Sequence, residues 1–576
     1  MGGVIYTNEN DCQDCYKCVR KCPVKAISMI DNHASIDDDR CIMCGGCIAV
    51  CPVGAQKYRS DKARVRVLLE SEKKVIMAVA PAFVGEFYFS ASTLIDLAKK
   101  LGFYGVSETA LGAQLVSYFQ RKLLAEANQP VFSTACPTFV QLVMKYYPEL
   151  KRNLSPLLSP LLSQCVMLRK IYDDDIAIVF VGPCLAKKAE SDIHPELLDV
   201  SLTFDEFNSL LEEAGIDIEQ VRSEDPETQA FIPIHSNGGA LYPLDGGMVE
   251  TIKKMKPSSV ADTDFFHFAG TKTIKAMLKS EGFEGNGTLF CEFLACDGGC
   301  INGSGVFDKQ PIITKKLRIS NYFKSLETYS EEEFIEKYAP DSIETDYEFC
   351  PPVEMRIFSE AEKQPIWNAL EKFTEADFID CGACGYDTCE NFAVACLEHR
   401  AELEMCATSM KKKAHNKVQA FMKATPMAFC VADRSLKLVE CNAKFLELSV
   451  EADIEITEEL IQRVAGRNIE KFFPISDLIK SCLRAGQKIS KLVERDERIF
   501  NVMIFPFEKN QLAGLVVQDI TEPAMKRDVV ISKAEEVIKQ NLLNVQKIAF
   551  LLGETAAETE ITLNEIVDAY KTSGDK

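Results

Sequence analysis

The sequence predicts a multidomain protein of mixed α/β and α+β class, and three observations support this prediction. The chain has 576 residues, of which 47% are hydrophobic and 26% charged, enough to bury the cores of several domains. Its 23 cysteines fall into blocks of different spacing, and the last fifty residues have no cysteine and a helical pattern. We therefore expect five successive segments, which are 1–60, 61–340, 341–412, 413–524 and 525–576.

Charge and hydropathy argue against two classes of partner. The chain has 65 basic and 86 acidic residues, a formal net charge of −21, which disfavours nucleic acid because phosphate binding needs clustered basic side chains. The longest apolar run, at 75–84, contains Pro81 and is far shorter than the roughly 20 residues that span a membrane. We recognise no signal peptide and expect a cytoplasmic protein. In a reducing compartment so many cysteines indicate metal ligation rather than disulfides.

The first segment carries the same C-x2-C-x2-C-x3-C-P run twice. A tight loop presents three thiolates to a [4Fe–4S] cluster, and the fourth comes from the other repeat. One predicted cluster therefore has the ligands Cys12, Cys15, Cys18 and Cys51, and the other has Cys41, Cys44, Cys47 and Cys22. Zinc also accepts four cysteines, but the doubled spacing favours iron–sulfur. The segment resembles bacterial two-cluster ferredoxins, which implies electron transfer.

Three patches of the second segment each hold cysteine in an unusual context. They are Ser133–Thr138, Gly182–Lys188 and Glu292–Gly303. A single cysteine beside proline is more often a small buried hydrophobe than a ligand. Together, however, the patches offer four thiolates, Cys136, Cys184, Cys296 and Cys300, and the glycines around Cys300 allow close approach of the backbone to a cofactor.

These patches resemble, in order, the T-S-C-C-P, M-P-C-x-x-K and E-x-M-x-C-x-x-G-C signatures of the hydrogen-activating domain of [FeFe]-hydrogenases. The resemblance covers roughly 61–335. It implies a two-lobed α/β domain that holds the oxygen-sensitive H-cluster, a [4Fe–4S] cube joined to a diiron subsite with CO, cyanide and an azadithiolate bridge. H2 and protons would be the substrates.

The resemblance also implies a role for individual residues. Cys136, Cys184, Cys296 and Cys300 would ligate the cube, and Cys300 would bridge to the diiron subsite. Lys187 matches the lysine that donates to one cyanide, since an ammonium suits an anion in a dry pocket. The backbone near Pro81 and Ala82 would meet the other cyanide.

The sequence departs from the catalytic family pattern at four positions. Ala135 replaces the cysteine that relays protons, and a methyl group cannot carry a proton. Gly182 and Leu294 replace methionines, and Ala82 replaces a serine. These changes resemble the sensory branch of the family, which turns over H2 slowly. Two alternatives are a catalytic hydrogenase that serves a ferredoxin, and a non-enzymatic iron–sulfur assembly relative without the diiron subsite.

The third segment has a C-x2-C-x4-C-x16-C spacing formed by Cys381, Cys384, Cys389 and Cys406. It resembles the small Fes-type [4Fe–4S] domain, with a helix predicted from Thr388 to Cys406. A zinc knuckle is the alternative. The cysteines without partner spacing are interpreted as ordinary buried thiols: Cys165, Cys291, Cys350, Cys396, Cys430, Cys441 and Cys482.

Residues 416–523 resemble a PAS domain. The run TPMAFCVADRSLKLVECNAKFLELS predicts a strand, a turn at Asp433, a second strand and a helix, and 498–521 predicts closing antiparallel strands. No histidine lies within the span, so a histidine-ligated haem is not expected. Gly466-Arg467-Asn468 resembles a flavin light-sensor motif, but Ile469 stands at the position of its reactive cysteine. We expect a ligand-free relay module.

The final segment shows an a/d heptad seam. Its members are Ile538, Leu542, Val545, Ala549, Leu552, Ala556, Thr559, Leu563 and Ile566. The seam favours a coiled coil that makes a homodimer, and a helix packed on its own PAS domain is the alternative. No kinase motif follows, so we expect a separate redox or signalling partner, such as a kinase or phosphatase, to receive the output.

Overall fold

The computed structural model describes most of the chain in two compact units, Met1–Leu403 and Glu404–Lys576. The described residues are 3–173, 175–218, 221, 230–255, 263–279, 288–308, 310–347, 351–449, 456–495, 498–521, 533–549 and 561–564. Within them, no helix is both long and apolar enough to cross a membrane. Each unit is described below by itself.

The first sixty residues form two small antiparallel sheets with a short helix after each cysteine loop. The elements are β1 (Ile5–Thr7), α1 (Lys17–Lys21), β2 (Ile27–Ile30), β3 (His33–Ile36), α2 (Gly46–Val50) and β4 (Gln56–Tyr58). β1 pairs with β4, and β2 pairs with β3 through a turn at Asp31 and Asn32, both in the left-handed region. α1 and α2 likewise begin after left-handed residues, Tyr16 and Gly45, so each cysteine loop turns sharply into its helix.

Two parallel sheets organise residues 61–340. One has the strand order β6 (Gly105–Glu108), β5 (Lys74–Val79), β8 (Ile176–Gly182), β9 (Val200–Thr203), and the other β10 (Asp264–Ala269), β11 (Leu289–Leu294), β7 (Val131–Phe132). β5 and β8 are buried along nearly their whole length, as expected of strands covered by helices on both faces. The expected mixed α/β architecture is therefore confirmed, with two separate parallel sheets in this region.

One or two α-helices lie between successive strands of this region as far as β11. The elements are α3 (Lys62–Leu69), β5 (Lys74–Val79), α4 (Phe83–Glu86), α5 (Ala91–Lys100), β6 (Gly105–Glu108), α6 (Ala110–Glu126), β7 (Val131–Phe132), α7 (Pro137–Tyr146), α8 (Pro160–Tyr172), β8 (Ile176–Gly182), α9 (Ala186–Ile193), β9 (Val200–Thr203), α10 (Phe204–Glu213), α11 (Gly247–Met255), β10 (Asp264–Ala269), α12 (Thr271–Leu278), β11 (Leu289–Leu294), α13 (Ile312–Ser325) and α14 (Glu331–Tyr338).

A buried ion cluster fixes the chain where the cysteine-rich head meets this region. Asp61 stands just before α3, and its Oδ2 lies 2.9 Å from Lys188 Nζ. The same ammonium lies 2.7 Å from Glu206 Oε2, and Lys188 is fully buried. Removal of either carboxylate would leave a buried charge undercompensated, so this contact ties head and core together strongly.

Residues 351–403 add a small helical module with α15 (Glu360–Ala369) and α16 (Cys389–Leu397). The predicted helix from Thr388 to Cys406 is wrong in its length, because α16 ends at Leu397. His399 has a φ of 55°, and the N–H of Arg400 returns to the carbonyl of Ala395. This left-handed residue turns the chain out of the helix.

The second unit contains a five-stranded antiparallel sheet of order β13-β12-β16-β15-β14. Its elements are α17 (Ala407–Ala424), β12 (Ala428–Asp433), β13 (Leu438–Cys441), α18 (Ala443–Ser449), α19 (Glu458–Val464), α20 (Ser476–Ala485), β14 (Ile489–Arg495), β15 (Arg498–Glu508) and β16 (Leu512–Asp519). The predicted order of strand, turn, strand and helix at 428–449 and the closing strands are confirmed. One sheet face packs on α18 and α20 around Phe445 and Ile479.

The opposite sheet face contacts the helix 533–549. Val545 packs beside Met503, Phe505 and Val516, which lie on β15 and β16. This contact supports the alternative in which the last helix packs on its own domain. Of the predicted seam, Leu552, Ala556, Thr559 and Ile566 lie outside the described residues, as does Cys350.

Candidate metal-cluster sites

The four cysteines of the middle region stand at the ends of parallel strands. Cys136 follows β7 and caps α7, and Cys184 follows β8 just before α9. Cys296 and Cys300 follow β11, in a loop where Gly298 and Gly299 have φ values of 76° and 106°. β7 and β11 belong to one sheet and β8 to the other, so the four thiols come together where strands of the two sheets end. Carboxyl ends of parallel strands are the usual location of α/β ligand sites.

These thiols are close enough to influence one another electrostatically. Burial raises the pKa of Cys184 to about 11, and Cys136 adds to the shift. Burial likewise raises the pKa of Cys300, which faces Cys136 and Cys184, and that of Cys296, which faces Cys300. A metal centre would replace these protons, so a convergent set of four desolvated thiols fits a [4Fe–4S] cluster.

Backbone groups turn toward two of the sulfur atoms. Burial raises the pKa of both thiols, and backbone N–H groups of Ala295, Phe139 and Thr138 at Cys136, and of Lys187 and Ala186 at Cys184, oppose that rise. Such N–H groups stabilise the thiolate and tune a bound cluster. Within the described residues, no three His, Cys, Asp or Glu side chains are grouped tightly enough to share a single metal ion.

Lys187 lies beside this centre with a partner that the sequence analysis missed. Its Nζ is 2.5 Å from Glu190 Oε2 and 2.8 Å from Ser159 Oγ, and the side chain is 8% exposed. The ammonium also faces the thiols of Cys136, Cys184 and Cys300. The i,i+3 spacing of Lys187 and Glu190 on α9 was the available signal for this pair.

The remaining predicted site residues contribute no titratable group. Ala135 is half-buried, and its N–H donates to Ser133 Oγ at 3.3 Å. Pro81 and Ala82 are buried just after β5. The structure explains Gly182: a Cβ there would lie 2.3 Å from Cζ of Phe180 and 2.9 Å from Cβ of Ala80.

Glu292 is a buried carboxyl with the properties of a proton carrier. It stands on β11, is 1% exposed, and its Oε2 accepts a hydrogen bond from the Val249 N–H at 3.1 Å. Its Oε1 has no hydrogen-bond partner among the described residues. Burial raises the pKa of Glu292 to about 8, and the carboxyl faces Cys300 electrostatically. In the sequence, Glu292 is marked only by its place in the third patch, which does not predict this role.

Seven of the head's cysteines fall into two electrostatic neighbourhoods. Cys22 interacts with Cys41, Cys44 and Cys47, although it belongs to the first run of the sequence. Cys18 interacts with Cys15 and Cys12. Backbone N–H groups also donate to sulfur, from Ala26 to Cys22 at 3.3 Å and from Ala55 to Cys51 at 3.2 Å.

The head neighbourhood of Cys22, Cys41, Cys44 and Cys47 lies against the middle centre. Cys44 contributes to the raised pKa of Cys296, after burial and the nearer thiols. Gly45, with a φ of 70°, fits so closely that a Cβ there would lie 2.2 Å from Ser304 Cβ and 3.0 Å from Leu185 Cδ1. The two candidate centres are therefore direct neighbours.

The third module contacts the head beside Cys22. Gly385 packs on the backbone of Arg20, whose guanidinium donates to the carbonyls of Cys15 at 2.7 Å and Ala383 at 3.4 Å. Burial lowers the pKa of Lys25, while Asp387, Cys22 and Cys384 oppose that shift. The Lys25 ammonium therefore interacts electrostatically with Cys22 of the head and with Cys384 of the third module.

The four cysteines of the C-x2-C-x4-C-x16-C spacing fall in different surroundings. Cys381 is exposed, and Cys384 and Cys389 are half-buried. The Cys389 N–H donates to Asp380 Oδ1 at 2.6 Å, at the start of α16. Cys406, in the second unit, is buried and precedes α17.

Comparison with known families matches three stretches of the chain. Residues 73–304 match the model described as iron only hydrogenase large subunit, C-terminal domain. Residues 4–69 match a 4Fe-4S dicluster domain, and residues 379–407 match a putative Fe-S cluster domain. The last match includes Cys381, Cys384, Cys389 and Cys406.

Individual relatives are distant. The chain is 26% identical to Iron hydrogenase 1 of Clostridium pasteurianum, over 50% of this chain and 59% of the relative. It is 25% identical to the NADP-reducing hydrogenase subunit HndD of Solidesulfovibrio fructosivorans, over 47% and 56%. It thus spans less than two thirds of the length of these relatives.

Among solved structures, the [FeFe]-hydrogenase HydA1 from Chlamydomonas reinhardtii superposes with a TM-score of 0.39 at 18% identity, covering 48% of this chain and 93% of that one. The family matches and the convergent cysteines, rather than this superposition, decide the assignment. Residues 73–304 are therefore [FeFe]-hydrogenase-like, and they lie between segments that match iron–sulfur domains.

Proposed function

We propose that this chain is a sensory [FeFe]-hydrogenase, which oxidises H2 and reduces protons reversibly but slowly, and passes the outcome to a signalling partner. The observation that carries the proposal is Ala135. It immediately precedes Cys136, one of the four convergent cysteines, at the position where the catalytic family has a proton-relaying thiol. A site that keeps its ligands but has no proton relay suits detection better than fast turnover.

The residues that would hold the cofactor are those at the strand ends. Cys136, Cys184, Cys296 and Cys300 would ligate the cube, with Cys300 toward the diiron subsite, and Lys187 with the backbone at Pro81 and Ala82 would bind its cyanides. When bound, the H-cluster supplies the cleavage and formation of the H–H bond. Glu190 and Ser159 keep the Lys187 ammonium in place through bonds of 2.5 and 2.8 Å.

We assign the handling of protons in this chain to Glu292. Its carboxyl is buried, its Oε1 has no hydrogen-bond partner among the described residues, and its charge adds to the rise that burial and neighbouring thiols give the pKa of Cys300. A carboxyl whose pKa is raised to about 8 carries a proton near neutral pH and can still release it. Protons would then reach the site through Glu292, near Cys300, and not through residue 135.

Electrons would leave through the head. The electrostatic influence of Cys44 on Cys296 indicates where the first step would occur, and Lys25, which senses both Cys22 and Cys384, indicates a link to the third module. In this proposal the head holds two [4Fe–4S] clusters and the third module holds one. The ligands of the latter would be Cys381, Cys384, Cys389 and Cys406.

The second unit would transmit the redox state. Its five-stranded order β13-β12-β16-β15-β14, with helices on one face, supports a PAS domain as the relay. A homodimer, a cytoplasmic location, and a kinase or phosphatase as the receiving partner complete the proposal. A change at the clusters would act on this unit as a local event that biases a two-state element.

Infrared spectroscopy of the matured protein, combined with H2 turnover, tests the proposal. We expect bands of iron-bound CO and cyanide together with a low turnover number. Absence of these bands would reject an H-cluster and favour an iron–sulfur assembly relative. Bands accompanied by rapid turnover with a ferredoxin would instead make the protein a catalytic hydrogenase.

A further inference from the structure

Two cysteines face each other across neighbouring strands in the core of the second unit. Cys430 lies on β12 and Cys441 on β13, and their Cα atoms are direct partners in the register. Both are free thiols, 0% and 4% exposed, and both belong to the apolar core that contains Phe445. Both side chains therefore point to the same face of the sheet.

The hydrogen bonds of the ladder show which kind of pair this is. The Asn442 N–H donates to the Phe429 carbonyl at 3.0 Å, so Phe429 and Asn442 form a hydrogen-bonded pair. Because the two kinds of pair alternate, Cys430 and Cys441 form a non-hydrogen-bonded pair, in which Cα atoms approach to about 4.5 Å. Disulfides need Cα atoms about 4.4–6.8 Å apart, so a bond here needs little backbone movement.

The position of β13 gives an oxidant access to this pair. β13 is an edge strand of only four residues, and its register with β12 shifts between Val431 and Ala432. The outer side of β13 is held at its start, where the Leu438 N–H donates to the Arg467 carbonyl and the Gly466 N–H donates to the Leu438 carbonyl. The Cys441 end has no such bond among the described residues, so this end of a short, irregular strand opens more readily than the centre of a sheet. Burial raises the pKa of Cys441 to about 12, so the closed form holds little thiolate and oxidation follows opening of the edge.

We propose that Cys430 and Cys441 form a reversible dithiol–disulfide switch that responds to peroxide. One thiol attacks the peroxide O–O bond and becomes a sulfenic acid, with release of one water. The second thiol then displaces the hydroxyl, which leaves as a second water, and the S–S bond forms. In sum, two thiols lose two electrons and two protons, and one H2O2 becomes two H2O. A small-molecule dithiol reverses the step by thiol–disulfide exchange.

The disulfide would fasten the edge strand to the rest of the sheet. β12 pairs with β13 on one side and with β16 on the other, and β16 carries Val516, which packs beside Val545 of the helix 533–549. Amide exchange in β13 should therefore slow on oxidation. This switch is independent of H2 chemistry, so it adds a second input to the proposed relay.

Peptide mapping of the full-length protein tests the proposal. The protein is purified without oxygen, treated with H2O2, alkylated and digested with trypsin, which cuts after Arg434 and Lys437 and so separates the two cysteines. We expect peptides 424–434 and 438–444 to appear as one disulfide-linked pair, and a dithiol to separate them. Cys482 is the internal control, because it is 0% exposed in the same core but lies on α20 away from the pair.

The outcomes separate cleanly. A linked pair that forms while Cys482 remains a free thiol supports the switch, and Cys430→Ala or Cys441→Ala should abolish it, whereas Cys482→Ala should keep it. Alkylated thiols at both positions after peroxide treatment, or sulfinic acids without a link, would overturn the proposal. The wild-type map alone gives this decision if a variant fails to fold, and it does not depend on hydrogenase activity.

Discussion

The head and the middle domain both bring cysteines together, but the head does so within short runs of sequence and the middle domain across long ones. In the head, each run of four cysteines lies within a short loop and helix, and left-handed residues such as Tyr16 and Gly45 shape the loops. In the middle domain, Cys136, Cys184 and Cys296 are separated by 48 and 112 residues and meet only because parallel strands end at one place. A cluster site can thus be specified by local turns or by the topology of a whole domain.

The largest expected effect is on H2 turnover, through the cysteine site of the middle domain. Cys300→Ala should abolish H2 turnover, because it removes the proposed bridge to the diiron subsite, while the electron paramagnetic resonance signals of the head clusters persist. Cys291→Ala is the matched control, since Cys291 is a buried thiol on β11 that has no proposed ligand role. Full activity in Cys300→Ala would show that the middle centre does not form where we place it.

Cys22→Ser tests the exchange of ligands between the two runs of the head. We expect loss or conversion of the cluster held by Cys41, Cys44 and Cys47, because Cys22 interacts with these three thiols. Iron content and the resonance spectrum report which cluster is affected. If the cluster of Cys12, Cys15 and Cys18 disappeared instead, the head would follow sequence order and not the observed geometry.

Glu292→Gln should slow turnover roughly 100-fold, the lower end of what one acid–base group contributes, because an amide cannot pass on a proton. The infrared bands should remain, since Glu292 is not a proposed ligand. Turnover and bands are measured on the same sample. Unchanged turnover would place the proton route elsewhere.

The smallest expected effect is on the pH dependence of the stability of the middle domain. Glu108, at the end of β6, is fully buried and accepts hydrogen bonds from Tyr322 at 2.5 Å and from the Ser236 N–H at 2.6 Å. Burial raises its pKa, so the folded state holds a proton that the unfolded state releases. The stabilising contribution is complete below the ordinary carboxyl pKa and is lost as the pH rises through the raised one.

Thermal unfolding measured from pH 5 to 8 should therefore show a decline in stability that is weaker in Glu108→Gln. The amide keeps an oxygen for the Ser236 N–H but has no proton to lose. An identical pH dependence in both proteins would contradict the assignment of this proton to Glu108.

The sequence was most informative where geometry is local. The doubled cysteine runs predicted the iron–sulfur head, and period-two alternation predicted the strands of the second unit. The middle centre could be predicted only through resemblance, because no spacing reports that two sheets end together. Glu190, Glu292 and Phe180 were missed for the same reason, since their importance depends on neighbours brought in by the fold.

The helix predicted from Thr388 to Cys406 shows the limit of local reasoning. Its residues favour helix, but the left-handed His399 ends α16, and the chain turns back on Ala395. Residues other than glycine and asparagine rarely mark such a position in a sequence. The register of Cys430 with Cys441 was equally invisible, since it depends on which residues the turn at Asp433 places opposite each other.

Gly45 has a consequence for protein engineering. The head resembles a ferredoxin that could be exchanged for another, yet its second loop approaches Ser304 and Leu185 so closely that no side chain fits at position 45. A transplanted head with alanine there would be held away from the middle centre, and tunnelling between their metals would slow with the added separation. Interchange of electron-transfer modules in this protein is therefore limited by a single hydrogen atom, the one that glycine has in place of a Cβ.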